Sequence, residues 1–536
     1  MKRLFSLILV ACAVCAMMQA QPSRPKLVVG LVVDQMRWDF LYRYYDRYTD
    51  GGFKRLLSEG YSMENCRIAY VPAVTAIGHT SIFTGSVPAV HGIAGNNFYM
   101  DGKKVYCCQD NNVTPVGSDS KEGKMSPANM LVTTIGDELR LATNSRSKVV
   151  GVALKDRASI LPAGHHANAA YWYDSKTGRF ITSSFYMQKL PDWVDKFNGR
   201  HLSEKYLSEK WTPLYDKSTY VQSTPDAKDY EFNIMDGEPN TPLPLDLPAL
   251  YKKYGYKVLR GTPGGINITF DMAEAAIEGE KLGQGAETDM LTVSCSSTDI
   301  LCHMVGVNAL KAEDMYLRLD QRLAQFLTYL DNTVGKGNYL IFLTADHGGV
   351  NKDKFLQECN IPAGKWDGEA AKKYLNEAIN AKHPNAGEIV KTVLMNQVHF
   401  DKERIKALSL DFSEIKQIVV DRLLEDDTVQ FACDMQKVCT ETIPDEIKFR
   451  IVNGYFRGRS GDVQLILKPA YCDYGGICTT HNAWCGYDSH IPLVFMGWHI
   501  QHGESTKQCF VTDIAPTICS MLHIQAPNGC VGQPVF

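Results

Sequence analysis

The chain has 536 residues, of which 45% are hydrophobic, 10% aromatic and 22% charged, an ordinary globular composition. That excludes an intrinsically disordered chain and a fibrous repeat. Lys and Arg total 56 against 60 Asp and Glu, a formal charge of −4, which leaves no electrostatic footprint for nucleic acid.

The first predicted element is an address. Lys2 and Arg3 precede an uncharged apolar run from Leu4 to Met18, and Ala20 offers a small residue for cleavage. This reads as a secretory signal peptide over residues 1–20. The run is too short to span a membrane, and no other stretch approaches the length required. Leu9-Val10-Ala11-Cys12 is a competing lipoprotein cleavage box, with an unusually short apolar run before it. The mature chain, 21–536, is expected to be periplasmic or secreted. Of the 16 cysteines, Cys12 and Cys15 lie in the signal, and the others suit an oxidising compartment. Cys433/Cys439 and Cys472/Cys478/Cys485 are the nearest candidates for disulfides. Cys295 and Cys302 read as buried small hydrophobes.

Short apolar runs follow at 27–33, 149–154, 290–293, 339–344 and 491–496. Runs without polar alternation suit strands buried on both faces. Residues 312–330 carry Met315, Leu319, Leu323, Phe326, Leu327 and Leu330 on one helical stripe, with Gly335 just beyond. The alternation predicts an α/β fold with a doubly wound, mostly parallel sheet. Two long segments interrupt it. Residues 166–285 are rich in Tyr, Trp and Pro, with Pro239, Pro242, Pro244 and Pro248 in close succession. Residues 351–465 are charged, with helical patterns near 368–380, 386–396 and 413–425. Structureless loops of that length do not fit a compact domain, so both read as inserted subdomains beside a site.

Ligands of open α/β sheets bind beyond the carboxyl ends of the strands. Asp34 follows the first run. Asp299 and, four residues later, His303 follow the third. Asp346 and His347 follow the fourth, and His481 precedes the last by ten residues. Singly, each reads as a turn, a cap or a surface histidine. Together, three Asp and three His at one sheet edge suit Zn²⁺ and suffice for two metals, which can clamp the oxygens of a displaced phosphoryl group. Thr75 stands after an extended Pro72 segment and before a helix, where free N–H groups favour an anion. It fits a nucleophile that a metal or base activates, and equally a helix N-cap. Lys155 and Arg157 follow the second run. In extended chain they point the same way, as two ligands of one anion or as a solvated pair. His79 reads as structural, and His91, His165 and His166 carry no assigned role.

Six ordered blocks then match a known family: VVDQMRWDFLYRYYD at 32–46, VPAVTAIGHTSIFTGSVPAVHGIAGN at 71–96, ALKDRASILPAGH at 153–165, SSTDILCH at 296–303, TADHGG at 344–349 and TTHNAW at 479–484. Through them the chain resembles the alkaline phosphatase superfamily, specifically its secreted bacterial PafA-type members with a threonine nucleophile. The resemblance implies two Zn²⁺ ions. Asp34, Thr75, Asp346 and His347 would hold one, and Asp299, His303 and His481 the other. Asn96, Lys155 and Arg157 would bind the non-bridging phosphate oxygens. The implied activity is hydrolysis of small phosphate monoesters through a phosphothreonine on Thr75, by a monomer with no nucleic-acid partner and no membrane span. A monoester presents two charged oxygens away from the metals and a diester has esterified one, so the added cations Lys155 and Arg157 favour a monoester. The alternatives are a phosphodiesterase or nucleotide pyrophosphatase on the same fold, and a non-catalytic phosphate-binding surface protein. A sulfatase needs Cys or Ser in a C/S-x-P-x-R setting, whereas Thr75 is followed by Ala-Ile-Gly.

Overall fold

The computed structural model describes residues 24–100, 102–235, 238–475 and 477–536. The signal-peptide reading over residues 1–20 lies outside the described residues. The core strands are β1 (Leu27–Val33), β2 (Val149–Ala153), β3 (Asp289–Cys295), β4 (Tyr339–Thr344) and β5 (Leu493–Gly497). They stand in the order β5-β4-β1-β3-β2 inside a 10-stranded sheet. β4, β1, β3 and β2 run parallel, and β5 is antiparallel to β4. Every residue of β1 to β4 is buried, as their unbroken apolar runs require. Helices α1 (Thr75–Thr84) and α2 (Asp156–Ala163) pack together on the sheet, while Pro263–Glu280 and Leu310–Leu330 form a second packed pair. A third short helix, α3 (Ser297–Val305), follows β3 directly.

Three expectations from the sequence need correction. First, the apolar run at 491–496 is two strands. Pro492 has no N–H for a ladder, so His490–Ile491 pairs with Cys66–Arg67 and only β5 joins the main sheet. Second, segment 166–285 does not stand apart from the sheet. Ala169–Asp174 lies parallel beside β2 and Arg179–Ser183 returns antiparallel, while Pro263–Glu280 packs on β3 and β2. The buried aromatics Tyr171, Trp172 and Tyr173 make this stretch core, and only its middle lies outside the sheet. Third, residues 386–396 are not helical. Val390–Leu394 and Gln397–Phe400 form a hairpin, because Met395 and Asn396 both take positive φ (51° and 61°) in a two-residue turn.

That hairpin belongs to the segment 351–465. It joins Val429–Asp434 and Val463–Leu467 in a separate four-stranded sheet, covered by Gly368–Lys382 and Phe412–Leu424. Leu375, Ile379, Val398, Ile415, Val419 and Leu465 build a hydrophobic core of their own there. The hairpin turn reaches the main α/β domain. The Asn396 amide donates to Asn482 Oδ1 at 3.1 Å, and Met395 packs against Gly95. The expected cysteine clusters form no disulfide, and all 14 cysteines among the described residues are free thiols. Cys433 is buried on a strand while Cys439 is exposed, so that pair faces different surroundings. Among the described residues, no helix is long and apolar enough to cross a membrane.

Candidate active site

The carboxyl ends of β1 to β4 converge on one buried polar cluster. Asp34 is the first residue after β1, Lys155 the second after β2, and Asp346 and His347 follow β4. Asp299 and His303 sit one turn apart on α3, so both face the same way. Thr75 opens α1 as its first helical residue. The N-cap is Val74, in extended conformation, so the Thr75 hydroxyl is not consumed in capping. Helix α1 presses directly on the end of β4 at Gly78, where a Cβ would lie 2.3 Å from the Asp346 carbonyl oxygen. This contact brings Thr75 Oγ1 to 3.5 Å from His347 Nε2.

The three histidines share one arrangement. Nδ1 of His303 donates to the Thr479 carbonyl at 2.8 Å, His347 to Gly348 at 2.9 Å, and His481 to Ala73 at 2.7 Å. Each bond fixes the tautomer and turns a bare Nε2 inward, as metal-ligating histidines require. His303 Nε2 stands 3.1 Å and His481 Nε2 3.8 Å from Asp299 Oδ1. His347 Nε2 stands 3.6 Å from Asp34 Oδ1 and 3.5 Å from Asp346 Oδ2. Those two carboxylate oxygens are buried without a hydrogen-bond partner. Asp299, His303 and His481 thus form one group with metal-ligand spacing, and Asp34, Asp299 and His347 a second, with Asp346 alongside. Orphaned buried carboxylate oxygens facing bare imidazole nitrogens fit divalent metals.

The charges point the same way. Burial, then the neighbouring Asp299 and Asp346, push the Asp34 carboxyl well above its ordinary range. Burial acts on Asp299 too, but His303 and Lys155 outweigh it and hold that carboxyl well below the usual range. Burial, with His347 and His303, keeps His481 neutral. The Lys155 ammonium lies 2.5 Å from Asp34 Oδ2, 2.6 Å from Asp299 Oδ2 and 3.4 Å from Thr75 Oγ1. Three carboxylates thus share one buried cation of the chain, a negative excess that metal cations would neutralise.

The hairpin Asn97–Met100/Lys103–Tyr106 brings in the residues expected to bind an anion. Asn96 precedes it and accepts from the Ala76 N–H at 2.9 Å, which leaves its amide donors for a ligand. Tyr106 ends the hairpin. Its hydroxyl donates to Asp156 Oδ1 at 2.6 Å and accepts from Arg157 at 3.1 Å. Lys155, Arg157 and Tyr106 line a cavity of about 340 Å³. The structure therefore brings Asp34, Thr75, Asp299, His303, Asp346, His347, His481 and Lys155 together, with Asn96 bonded to α1 and Arg157 beside Lys155.

Other residues at the site had no assigned part in the sequence reading. His79, read there as structural, donates through Nδ1 to the Thr75 carbonyl at 2.9 Å and stands 3.2 Å from Asp346 Oδ2. It touches both Thr75 and Asp346, and its i,i+4 spacing from Thr75 was the available signal. Tyr106 carried no signal, because its contact depends on the hairpin register. Asp488 supports the His481 loop by accepting from the Ala483 N–H at 2.8 Å. Burial pushes the Asp488 carboxyl up to about 8, against about 3.9 in an unfolded chain. The folded form therefore keeps its proton longer. The stability this contributes is complete below about pH 4 and is lost as pH rises to about 8. The melting-temperature advantage of Asp488→Asn over the parent should widen across that window and then stay constant. A flat difference from pH 4 to 8 would mean that Asp488 is already ionised in the folded chain.

Comparison with known proteins places the chain among phosphoryl-transfer enzymes. The family profile described as type I phosphodiesterase / nucleotide pyrophosphatase matches residues 28–488. The alkaline phosphatase PhoV of Synechococcus elongatus is 48% identical, over 96% of this chain and 92% of its own. The alkaline phosphatase PafA of Elizabethkingia meningoseptica is 48% identical, over 96% of this chain and 94% of its own. A Myroides odoratus protein called a calcium-transporting ATPase is 49% identical, over 96% and 94%. The crystal structure of wild-type PafA superposes with a TM-score of 0.93 at 47% identity, covering 96% of this chain and 99% of that one. A PafA variant substituted at one threonine, one asparagine, one lysine and one arginine superposes equally well.

Proposed function

The chain belongs to the type I phosphodiesterase / nucleotide pyrophosphatase family, and from that premise we infer that it is an alkaline phosphatase, a two-zinc hydrolase of small phosphate monoesters. The observation that carries this reading is the pairing of Lys155 with the Asp/His cluster, 3.4 Å from the Thr75 hydroxyl. The names of the PhoV and PafA relatives support it. So do the residue types changed in the PafA variant, which are those of Thr75, Asn96, Lys155 and Arg157.

Two Zn²⁺ ions, held by Asp34, Asp346 and His347 and by Asp299, His303 and His481, would supply Lewis-acid stabilisation of oxyanions. Thr75 Oγ1 attacks phosphorus in line with the leaving oxygen. The new P–O bond makes a phosphothreonine as the ester bond breaks and the alcohol departs. Water then cleaves that phosphothreonine, restoring the Thr75 hydroxyl and releasing inorganic phosphate. The Asn96 amide, the Lys155 ammonium and the Arg157 guanidinium hold the non-bridging oxygens, where charge is greatest in the transition state. His79 orients Thr75 through its carbonyl, and Tyr106 orients Arg157.

Phosphate release from an aryl phosphate should vanish on chelation and return with Zn²⁺, with about two metals per chain measured on the same sample. Activity that survives full metal removal would refute this reading, and the absence of any turnover by the metal-loaded chain would favour a binding protein. The Myroides relative's name is addressed by including ATP, whose hydrolysis is also phosphoryl transfer to water. The basic Lys2–Arg3 start and the apolar run after it support export to the periplasm or medium. N-terminal sequencing of exported protein, beginning at Gln21, checks this.

A further inference from the structure

We propose that Gln35 is the positioning residue that ties the two cation sites together, acting through Asp299. This rests on the two-metal reading above. Gln35 follows Asp34 and is wholly buried. Its φ is +64°, a left-handed conformation that glutamine seldom adopts. The turn brings its backbone N–H to Asp346 Oδ1 at 3.1 Å and its side-chain Nε2 to Asp299 Oδ1 at 2.8 Å. One residue is thus bonded covalently to Asp34, through its backbone to Asp346 and through its side chain to Asp299. The first two carboxylates face His347. The third faces His303 and His481.

The side-chain bond sets the rotation of Asp299. With Oδ1 held by Gln35, that oxygen stays beside His303 and His481 while Oδ2 accepts from Lys155, which also bonds Asp34. Without it, the carboxylate can turn away from either neighbour. The amide orientation follows from the chemistry, since a carbonyl oxygen facing a carboxylate would set acceptor against acceptor. A glutamate would do the same and add a fourth buried negative charge. Gly349 leaves room for the amide, because a Cβ there would lie 3.1 Å from three side-chain atoms of Gln35. Groups that orient metal ligands in this way typically change metal affinity about 10–100-fold when removed.

Gln35→Gly separates this role from a merely structural one. Glycine accepts the positive φ without strain and keeps the N–H to Asp346, but loses the bond to Asp299. The metal-loaded chain would be dialysed against graded chelator and its zinc counted by plasma mass spectrometry. His303→Ala marks the loss of the Asp299–His303–His481 site. In Gln35→Gly and Gln35→Glu, one zinc should leave at about 10–100-fold lower chelator strength than in the parent, matching the site missing in His303→Ala. The other zinc should leave at the parental strength in Gln35→Gly. Turnover lost by Gln35→Gly should return as Zn²⁺ is raised. Parental retention of both metals, or equal weakening of both sites, would overturn the proposal. A parent chain that binds no zinc would instead overturn the two-metal reading.

Discussion

Replacing Thr75 with alanine should lower turnover of an aryl phosphate by at least about a thousandfold, because the attacking oxygen itself is removed. Thr75→Ser keeps an oxygen at the same position and should retain most of the rate. The alanine variant should still bind metal, since Asp34, Asp346 and His347 do not depend on the hydroxyl for their placement. Acid quenching during turnover of a radiolabelled monoester should trap label on Thr75 in the parent chain and none in Thr75→Ala. Full turnover by a metal-loaded Thr75→Ala chain would eliminate the phosphothreonine route. The proposed attack fits the local structure, in which α1 begins on Thr75, Val74 takes the capping position and Gly78 lets the helix close on Asp346.

Removing Lys155 and Arg157 together should separate monoester from diester hydrolysis. Each cation meets charge that a monoester carries and a diester has partly esterified away. Loss of one such donor in a buried site typically costs about 10²–10³ in rate. The double alanine variant should therefore lose at least about a thousandfold in kcat/KM on an aryl phosphate, and about tenfold on a bis-aryl phosphate. Equal losses on both substrates would favour the phosphodiesterase alternative. Lys155 also bridges Asp34 and Asp299, so metal content must be followed in parallel. Arg157→Ala alone leaves those contacts in place and should show the same preference in weaker form.

Strands β1 and β4 were legible from the sequence to the residue, because each is a mostly apolar run followed within two residues by a carboxylate. The metal-ligand candidates were legible for the same reason, since parallel strands deliver their carboxyl ends to one edge. What escaped the sequence depends on register between distant segments. Gln35 looks like any polar residue after a strand until its positive φ aims it at Asp299, 264 positions away. Tyr106 reaches Arg157 only through the hairpin that also presents Asn96. Residues 386–396 carry a pattern compatible with either helix or strand, and the left-handed pair Met395–Asn396 decides for a hairpin. The choice between cap and first helical residue at Thr75 turns on a single position, below the resolution of pattern reading.

The turn at Met395–Asn396 has a consequence for how such an enzyme can diversify. It meets Gly95 and Asn482, the neighbours of Asn96 and His481, and Met395 packs on the main core, while the strands that carry the turn are held by a separate apolar core. The candidate ligands and the strands that carry this turn are therefore packed on separate cores of one chain. Substitutions inside the accessory core, at Ile415, Val419 or Leu465, would reach the candidate site through that turn and not through the strands that carry its carboxylates. Such a plan lets the surroundings of the proposed hydrolytic centre vary separately from the strands that build it.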